Sequence, residues 1–346
     1  MRWAAYVPDG SSDGRRVAAP DEDAFTLVAT AIERALGDPA EGARGATIDL
    51  VGAFPDVREE ALGAVVGGPV ELRSHPAGTR SFGAAIEAAL TQDLGDRLHL
   101  VVAAELPERS VPADASVRSA RGAGAIAVRL GDAGSSTTGA LPHFRSEGSP
   151  LDTAWSVWAA HHASDPSRWV GDWDLDPAAG RPRPLAEVLA AADAPTGVVS
   201  EGAYIPRARY LENRPSRWRF VAEECGRCGR RSFPSRGICA HCGARDGLRP
   251  VLLPRDGGVV VASTAIGKGG QPTEFDHQVA ARGGYGVVLV EFAPGARVTL
   301  QLTDAGPGAL PIGSTVGTRL RRLYPMEGEW RYGRKAVPLA PVDPRS

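Results

Sequence analysis

Apolar and polar positions recur with two different periods along this chain, and the change of period divides it. Over roughly the first 135 residues helical and strand periods take turns, the signature of an α/β layer fold. The run Ala24 to Leu36 is apolar at helical spacing and predicts a helix. It opens on Asp21-Glu22-Asp23, where negative charge complements the helix dipole. Ile48 to Phe54 and Val70 to Arg73 predict short buried strands, and Gly78-Thr79 leads into an amphipathic run, Phe82 to Leu90. Leu98 to Ala104 is a continuous apolar strand, and Gly122 to Leu130 is a glycine-led strand ending at Gly131-Asp132.

From about 135 to 215 the pattern loosens into a Gly/Ser/Thr stretch, a segment with Trp155, Trp158, Trp169 and Trp173, and the run Arg181-Pro182-Arg183-Pro184. Leu185 to Ala192 is its clearest helical piece. Four tryptophans carry too much apolar area to leave in water, so they are expected to pack on a neighbouring domain or a partner. Beyond Pro215 the period becomes that of strands: Gly257 to Ile266, Gly286 to Phe292, Ala296 to Leu302 and Thr315 to Leu323 predict a small barrel. The long break from Gly267 to Tyr285, with Lys268, His277 and several glycines, predicts a mobile loop over one barrel face. The expected organisation is therefore an α/β domain over 1–135, a connector with helical segments over 136–214, a cysteine-bearing segment over 215–250 and the barrel over 251–340.

A length of 346 residues suffices for several domains. A net charge of −2 gives no global field to attract nucleic acid or an anionic membrane. On and beside the predicted barrel strands, Gly257 to Leu323, the aromatics are Tyr285, Phe292 and Tyr324, a poor platform for stacking bases. No apolar run reaches membrane-spanning length, and Met1 to Tyr6 opens directly into what reads as folded protein. A cytoplasmic location is expected, without nucleic acid or membrane as partner.

The sharpest chemistry lies in four cysteines, the whole complement of the chain, set as Cys225-Gly-Arg-Cys228 and Cys239-Ala-His-Cys242. Each CxxC puts two thiolates on one tight turn, and two facing turns make the tetrahedral sulfur cage that zinc prefers. A closed set leaves no position for a reacting water, so the metal is expected to staple the fold. Iron in a rubredoxin-like site is the other metal this set suits, and disulfides or a redox dithiol are the metal-free alternatives. His241, inside the second turn, is not needed as a ligand and reads as a surface residue. Arg227, Arg230, Arg231, Arg236 and Arg245 surround the cysteines, and Lys268 lies in the glycine-rich loop. Arg227, Arg231, Arg236 and Lys268 are the candidates for contacting an anionic ligand or an acidic partner surface.

Ser216-Arg217-Trp218-Arg219-Phe220, the two cysteine turns, Phe233-Pro234 and Arg236 between them, and the closing Tyr332-Gly333-Arg334-Lys335 together resemble one family. It is the acyl-CoA-associated zinc-ribbon plus OB-fold family, also called domain of unknown function thirty-five, and the resemblance covers roughly 210 to 340. It implies a rubredoxin-like zinc ribbon followed by a β-barrel OB-fold. It also implies an accessory subunit, supplying no catalytic residue, that works with a thiolase-fold enzyme and helps shape the channel for a CoA thioester. The partner implied is a thiolase-fold enzyme with an intact catalytic cysteine: a thiolase, a hydroxymethylglutaryl-CoA synthase, a steroid side-chain aldolase or a related acyltransferase.

The N-terminal region resembles the first half of the thiolase superfamily, in the ketoacyl-synthase III and hydroxymethylglutaryl-CoA synthase branch. Tyr6-Val7-Pro8, the acidic helix opening, Ile48 to Phe54, Gly78-Thr79 and the GAGAIAV strand fall in that order. One departure matters. Where that superfamily has its nucleophilic cysteine, three residues before the Gly-Thr step, this chain has His75. Histidine cannot carry the stable acyl thioester that a Claisen condensation needs. The expectation is a degenerate half-thiolase whose incompletely covered sheet exposes an apolar face to a partner. The alternative is a stand-alone acyl-CoA acyltransferase or hydroxymethylglutaryl-CoA synthase-like enzyme in which His75 acts as a general base. A nucleic-acid-binding OB-fold is a further alternative. His75 reads as a lone histidine at a turn, and the other histidines, His161 and His162 included, show no carboxylate or cysteine at triad or ligand spacing.

Overall fold

A computed structural model describes residues 2–6, 21–36, 44–52, 54, 57–75, 81–92, 96–105, 124–130, 206–293, 295–305, 310–326 and 329–339. The chain divides into two compact units, Met1–Pro177 and Ala178–Ser346. Val7, Pro8, Gly78, Thr79, the connector tryptophans, His161, His162 and the helical run from Leu185 lie outside the described residues.

In the first unit strands β1 (Arg2–Tyr6), β2 (Ala46–Val51), β3 (Val70–His75), β4 (Leu98–Glu105) and β5 (Gly124–Leu130) form one sheet in the order β1-β5-β4-β2-β3. β4, β2 and β3 run parallel, and β5 is antiparallel to both β4 and β1. Helix α1 (Ala24–Leu36) has every residue buried except Arg34. Its start is fixed reciprocally: the Thr26 N–H donates to Asp23 Oδ1 at 2.9 Å and the Asp23 N–H donates to Thr26 Oγ1 at 2.8 Å. α2 (Glu59–Val66) joins β2 to β3 and ends on Gly67, whose φ of 96° is open to glycine at little cost. α3 (Ser81–Leu90) joins β3 to β4. Right-handed crossovers put α2 and α3 on opposite faces of the sheet, because β3 lies to one side of β2 and β4 to the other. Burial follows: β2 is buried from end to end, and Leu100, Val101, Val102 and Ala103 of β4 are fully buried. Along β2, β4 and β5, where burial is described, the expected open apolar face is not seen. Among the described residues the large exposed hydrophobics are Leu90, Val259, Ile312 and Leu339, none of them on this sheet.

The second unit begins with two short helices, α4 (Arg207–Glu212) and α5 (Arg214–Arg219). β6 (Val221–Cys225), β7 (Arg231–Ser232) and β8 (Leu248–Leu252) make a three-stranded sheet in the order β7-β6-β8. β9 (Gly258–Gly267), β10 (Gly284–Ala293), β11 (Ala296–Gln301), β12 (Thr315–Met326) and β13 (Glu329–Pro338) make a five-stranded sheet in the order β11-β10-β9-β12-β13. Its two outer strands meet through a parallel bridge between Leu302 and Ala336. Alternate residues of β10 and β11 point into one core, as the strand period requires: Val288, Val290, Phe292, Ala296, Val298 and Leu300. The same core takes in Phe220 and Ala222, and Phe233 and Val251 pack against it. Phe220 holds this junction, with ring centroids 5.2 Å from Phe233 and 5.1 Å from Phe292.

The segment between β9 and β10, expected as a mobile loop, contains a 3₁₀ turn (Thr273–Phe275) and a helix, α6 (Asp276–Arg282). Buried Val279 and the Phe275 ring, 5.5 Å from both Tyr285 and Tyr324, pack it down.

Candidate functional site

The two CxxC turns are built alike. The Gly229 N–H donates to the Cys225 carbonyl at 2.7 Å and the Gly243 N–H to the Cys239 carbonyl at 3.0 Å, each glycine at positive φ. Each first cysteine is tied back by its own N–H, Cys225 to the Arg230 carbonyl at 3.0 Å and Cys239 to the Ala244 carbonyl at 2.8 Å. The repeated loop brings all four sulfurs within 4.8 Å of one another. Cys225 and Cys242 are 3.6 Å apart at sulfur, as are Cys228 and Cys239. Four bonds of about 2.3 Å to a tetrahedral zinc give sulfur–sulfur edges of about 3.8 Å, so the donors and their spacing fit such an ion. Cys225 and Cys239 are buried and Cys228 and Cys242 exposed. Backbone N–H groups of Cys242 and His241 favour the Cys239 thiolate and bring that thiol down to about 6. For Cys228 the Arg230 N–H favours the thiolate, but burial and the neighbouring sulfurs outweigh it and push the thiol up to about 11. These opposed values belong to a set of sulfurs competing for protons, which a cation at the centre would relieve.

The surrounding arginines are not gathered into one anion site. Arg231 bonds Glu224 at 2.9 Å, and Arg249 takes the other oxygen of the same carboxylate. Glu223 accepts the backbone N–H groups of Arg236 at 3.0 Å and Gly237 at 3.1 Å, which steadies the segment between the cysteine pairs. The Arg227, Arg236 and Lys268 side chains are exposed, and Lys268 sits on the turn after β9. His241 is exposed, and a Cβ added at Gly295 would lie 2.6 Å from its Nε2.

The first unit contains a constellation that the spacing of the histidines did not reveal. Asp49 of β2 lies opposite Arg73 of β3 and Val101 of β4, so His75 and His99 share its face of the sheet, one residue pair up and one pair down. His75 Nε2 is 2.6 Å from Asp49 Oδ1, and His99 Nε2 is 2.5 Å from Asp49 Oδ2. His75 is thus not a lone histidine, and His99 does have a carboxylate. Asp49 and His99 side chains are each 4% exposed, His75 31%. Burial works against the Asp49 charge, but the hydrogen bonds from His99 and His75 outweigh it and hold the carboxyl below its usual range. An ionised carboxylate only accepts, so both Nε2 atoms carry a proton and each ring keeps Nδ1 for a further one. The available signal was a charged residue inside the apolar run Thr47-Ile48-Asp49-Leu50-Val51 and a histidine inside Leu98-His99-Leu100, since buried ionisable groups require partners.

The described residues thus define a β-rich unit whose four-cysteine cluster could hold a metal such as zinc, joined in one chain to an α/β unit. No family model matches the chain. It is 32% identical over 115 residues, a third of this chain and 80% of the relative, to a "DUF35 domain-containing scaffold protein" of Methanothermobacter thermautotrophicus. A protein of the same description from Methanocaldococcus jannaschii is 30% identical over 131 residues, covering 35% of this chain and 88% of that one. The chain belongs to the DUF35 scaffold family, with an α/β part added. Among solved structures, the "Ltp2-ChsH2(DUF35) aldolase" aligns at 23% identity over 40% of this chain and 99% of its own, with a TM-score of 0.30.

Proposed function

We propose that this protein is an accessory scaffold subunit for a thiolase-fold enzyme acting on acyl-CoA. One observation carries the reading: all four cysteines of the chain are spent on one closed sulfur cage. No thiol is left to carry an acyl group, so carbon–carbon bond formation through a thioester enzyme intermediate belongs to a partner. The name shared by the two relatives supports the scaffold role. In this reading Cys225, Cys228, Cys239 and Cys242 hold a structural zinc in a ribbon, and the five-stranded sheet is an OB-type barrel. The sheet order β11-β10-β9-β12-β13 and the parallel Leu302–Ala336 bridge between its outer strands support a barrel of that kind. Exposed Arg227, Arg236 and Lys268 are assigned to the rim that meets a CoA phosphate or an acidic partner surface, with Arg231 oriented by Glu224.

The test is an affinity pull-down of the tagged full chain from its native extract, with mass spectrometry of proteins recovered at near-equal amounts. Recovery of a thiolase-fold protein carrying an intact catalytic cysteine is the expected result, and acyl-CoA activity then resides in the complex. Elution alone with turnover of an acyl-CoA overturns the scaffold reading.

A further inference from the structure

The segment between β9 and β10 is tied off by glycine at both ends. Gly267 and Gly284 are the last pair of the β9–β10 ladder. Just beyond it stand Gly269 at φ 88° and Gly283 at φ 76°, in the left-handed region where glycine turns at little cost. Between these ends the segment braces itself. The Gly269 N–H donates to Gln271 Oε1 at 2.9 Å, Gln271 Nε2 donates to Asp276 Oδ1 at 2.7 Å, and the Gly283 N–H closes α6 on the Val279 carbonyl at 2.8 Å. A short body with its own hydrogen bonds between two glycine hinges can swing as a unit. Side chains hold it against the strands. Phe275 lies between Tyr285 and Tyr324, Val279 is buried, and Gln278 Nε2 donates to the Leu323 carbonyl at 2.7 Å. The His277 ring meets Trp330 with centroids 6.0 Å apart and planes at 67°.

Two features work against this closed arrangement. Glu274 Oε2 is buried and accepts no hydrogen bond among the described residues. A carboxylate oxygen kept from water in that way is unfavourable. The second feature is charge. His277 faces two cations: Lys335 of β13, and Arg322 of β12, whose guanidinium lies 4.6 Å from the centre of the same Trp330 ring. Asp276 of its own helix and the Glu274 carbonyl favour the imidazolium. Burial, with Lys335 and Arg322, outweighs them and holds the imidazole below its ordinary value. A neutral ring suits this place, and a third positive charge does not.

We propose that residues 268–283 form a hinged flap over one end of the five-stranded sheet, latched by the uncharged His277 ring and released when that ring takes up a proton. Opening carries the charged ring away from Arg322 and Lys335 into water, hydrates Glu274 and uncovers the faces of Tyr285 and Tyr324 that Phe275 covers. Because closure lowers the imidazole's value, it is favoured in full above about 6.5, where an ordinary histidine is neutral. It is lost as pH falls through the lowered value. The flap uses neither the cysteine cluster nor a partner, so the outcome of the pull-down leaves it untouched.

The test is hydrogen–deuterium exchange of the full chain, read by mass spectrometry on either side of the ordinary histidine value, at about pH 7.5 and about pH 5, with times scaled to the chemical exchange rate. Peptides covering 268–283 are expected to lose protection at the lower pH while those of β10 and β11 keep theirs. In His277→Phe the ring stays uncharged, and that loss is expected to vanish. In Phe275→Ala the flap is expected to exchange fast at both pH values. The His277 imidazole, assigned in NMR spectra by its disappearance in His277→Phe, is expected to titrate below about 6.5. Equal flap protection at the two pH values in the wild type, a loss retained in His277→Phe, or a loss shared by β10 and β11 overturns the proposal. If Phe275→Ala does not fold, the wild type and His277→Phe decide alone.

Discussion

Asp49 shows how much one side chain can determine. Its carboxyl is held below the usual value, about 3.9 for an aspartate, because two imidazoles hydrogen-bond its charged form. A lowered carboxylate contributes stability that is fully present above its unfolded value and is lost as pH falls through its folded one. Unfolding of the first unit is therefore expected to become easier with acid below about pH 4. In Asp49→Asn that acid slope should flatten and stability at pH 7 should drop, which urea titrations at several pH values would reveal. Tyr210 is a second case. Its hydroxyl accepts the Tyr332 N–H at 2.8 Å and lies 3.3 Å from the Tyr332 carbonyl, while Trp218 Nε1 donates to that carbonyl at 3.1 Å. Two aromatic side chains from α4 and α5 thus satisfy the backbone of outer strand β13, which would otherwise offer an unpaired edge. Tyr210→Phe leaves the N–H without its acceptor and is expected to cost about 1–3 kcal/mol, read from chemical denaturation of the second unit.

Among the elements, the cysteine turns and the β10–β11 turn depend on each other. Gly295 sits at φ 90°, and a Cβ there would fall 2.6 Å from His241 Nε2 and 2.9 Å from the Arg231 carbonyl. Gly295→Ala combines a left-handed strain with a collision against backbone, and a loss of about 1–3 kcal/mol is expected, with lowered metal retention as the second readout. If the cluster holds zinc as proposed, Cys239→Ser should abolish stoichiometric metal, measured by elemental analysis, and bring the melting of the second unit down to that of the chelator-treated wild type. The elements most readable in advance were those with long uninterrupted patterns. α1, β4, β9 and β10 fall within a few residues of their predicted ends because each buries a continuous apolar stripe or run. α2 was missed: Leu62, Val65 and Val66 do fall at helical spacing, but in eight residues interrupted by Gly63 that is a single repeat, too short to stand out. α6 was hidden by the glycines around it, and it exists because Phe275 and Val279 find a surface on β10 and β12.

At the scale of the molecule, the three-stranded sheet that carries the first cysteine turn and the five-stranded sheet share a core through Phe220, which is 1% exposed. Phe220→Ala is expected to destabilise the second unit by about 3–5 kcal/mol and to loosen the metal turns with it, seen as one shifted denaturation transition together with faster zinc release to a chelator. Among the described residues no helix is long and apolar enough to cross a membrane.

The sequence by itself determined the four-cysteine cluster that could hold a metal, because two CxxC turns define their geometry within a few covalent bonds, and it determined the strands and helices whose apolar period is long. Tertiary structure alone decided the rest. His75 and His99 lie 26 and 50 residues from Asp49 along the chain, and only a parallel register of three strands brings them to its carboxylate. The Tyr332 edge is capped from 122 and 114 residues away for the same reason. Local spacing encodes what one turn can build; contacts between strands depend on register, and register is set by burying the whole sheet at once.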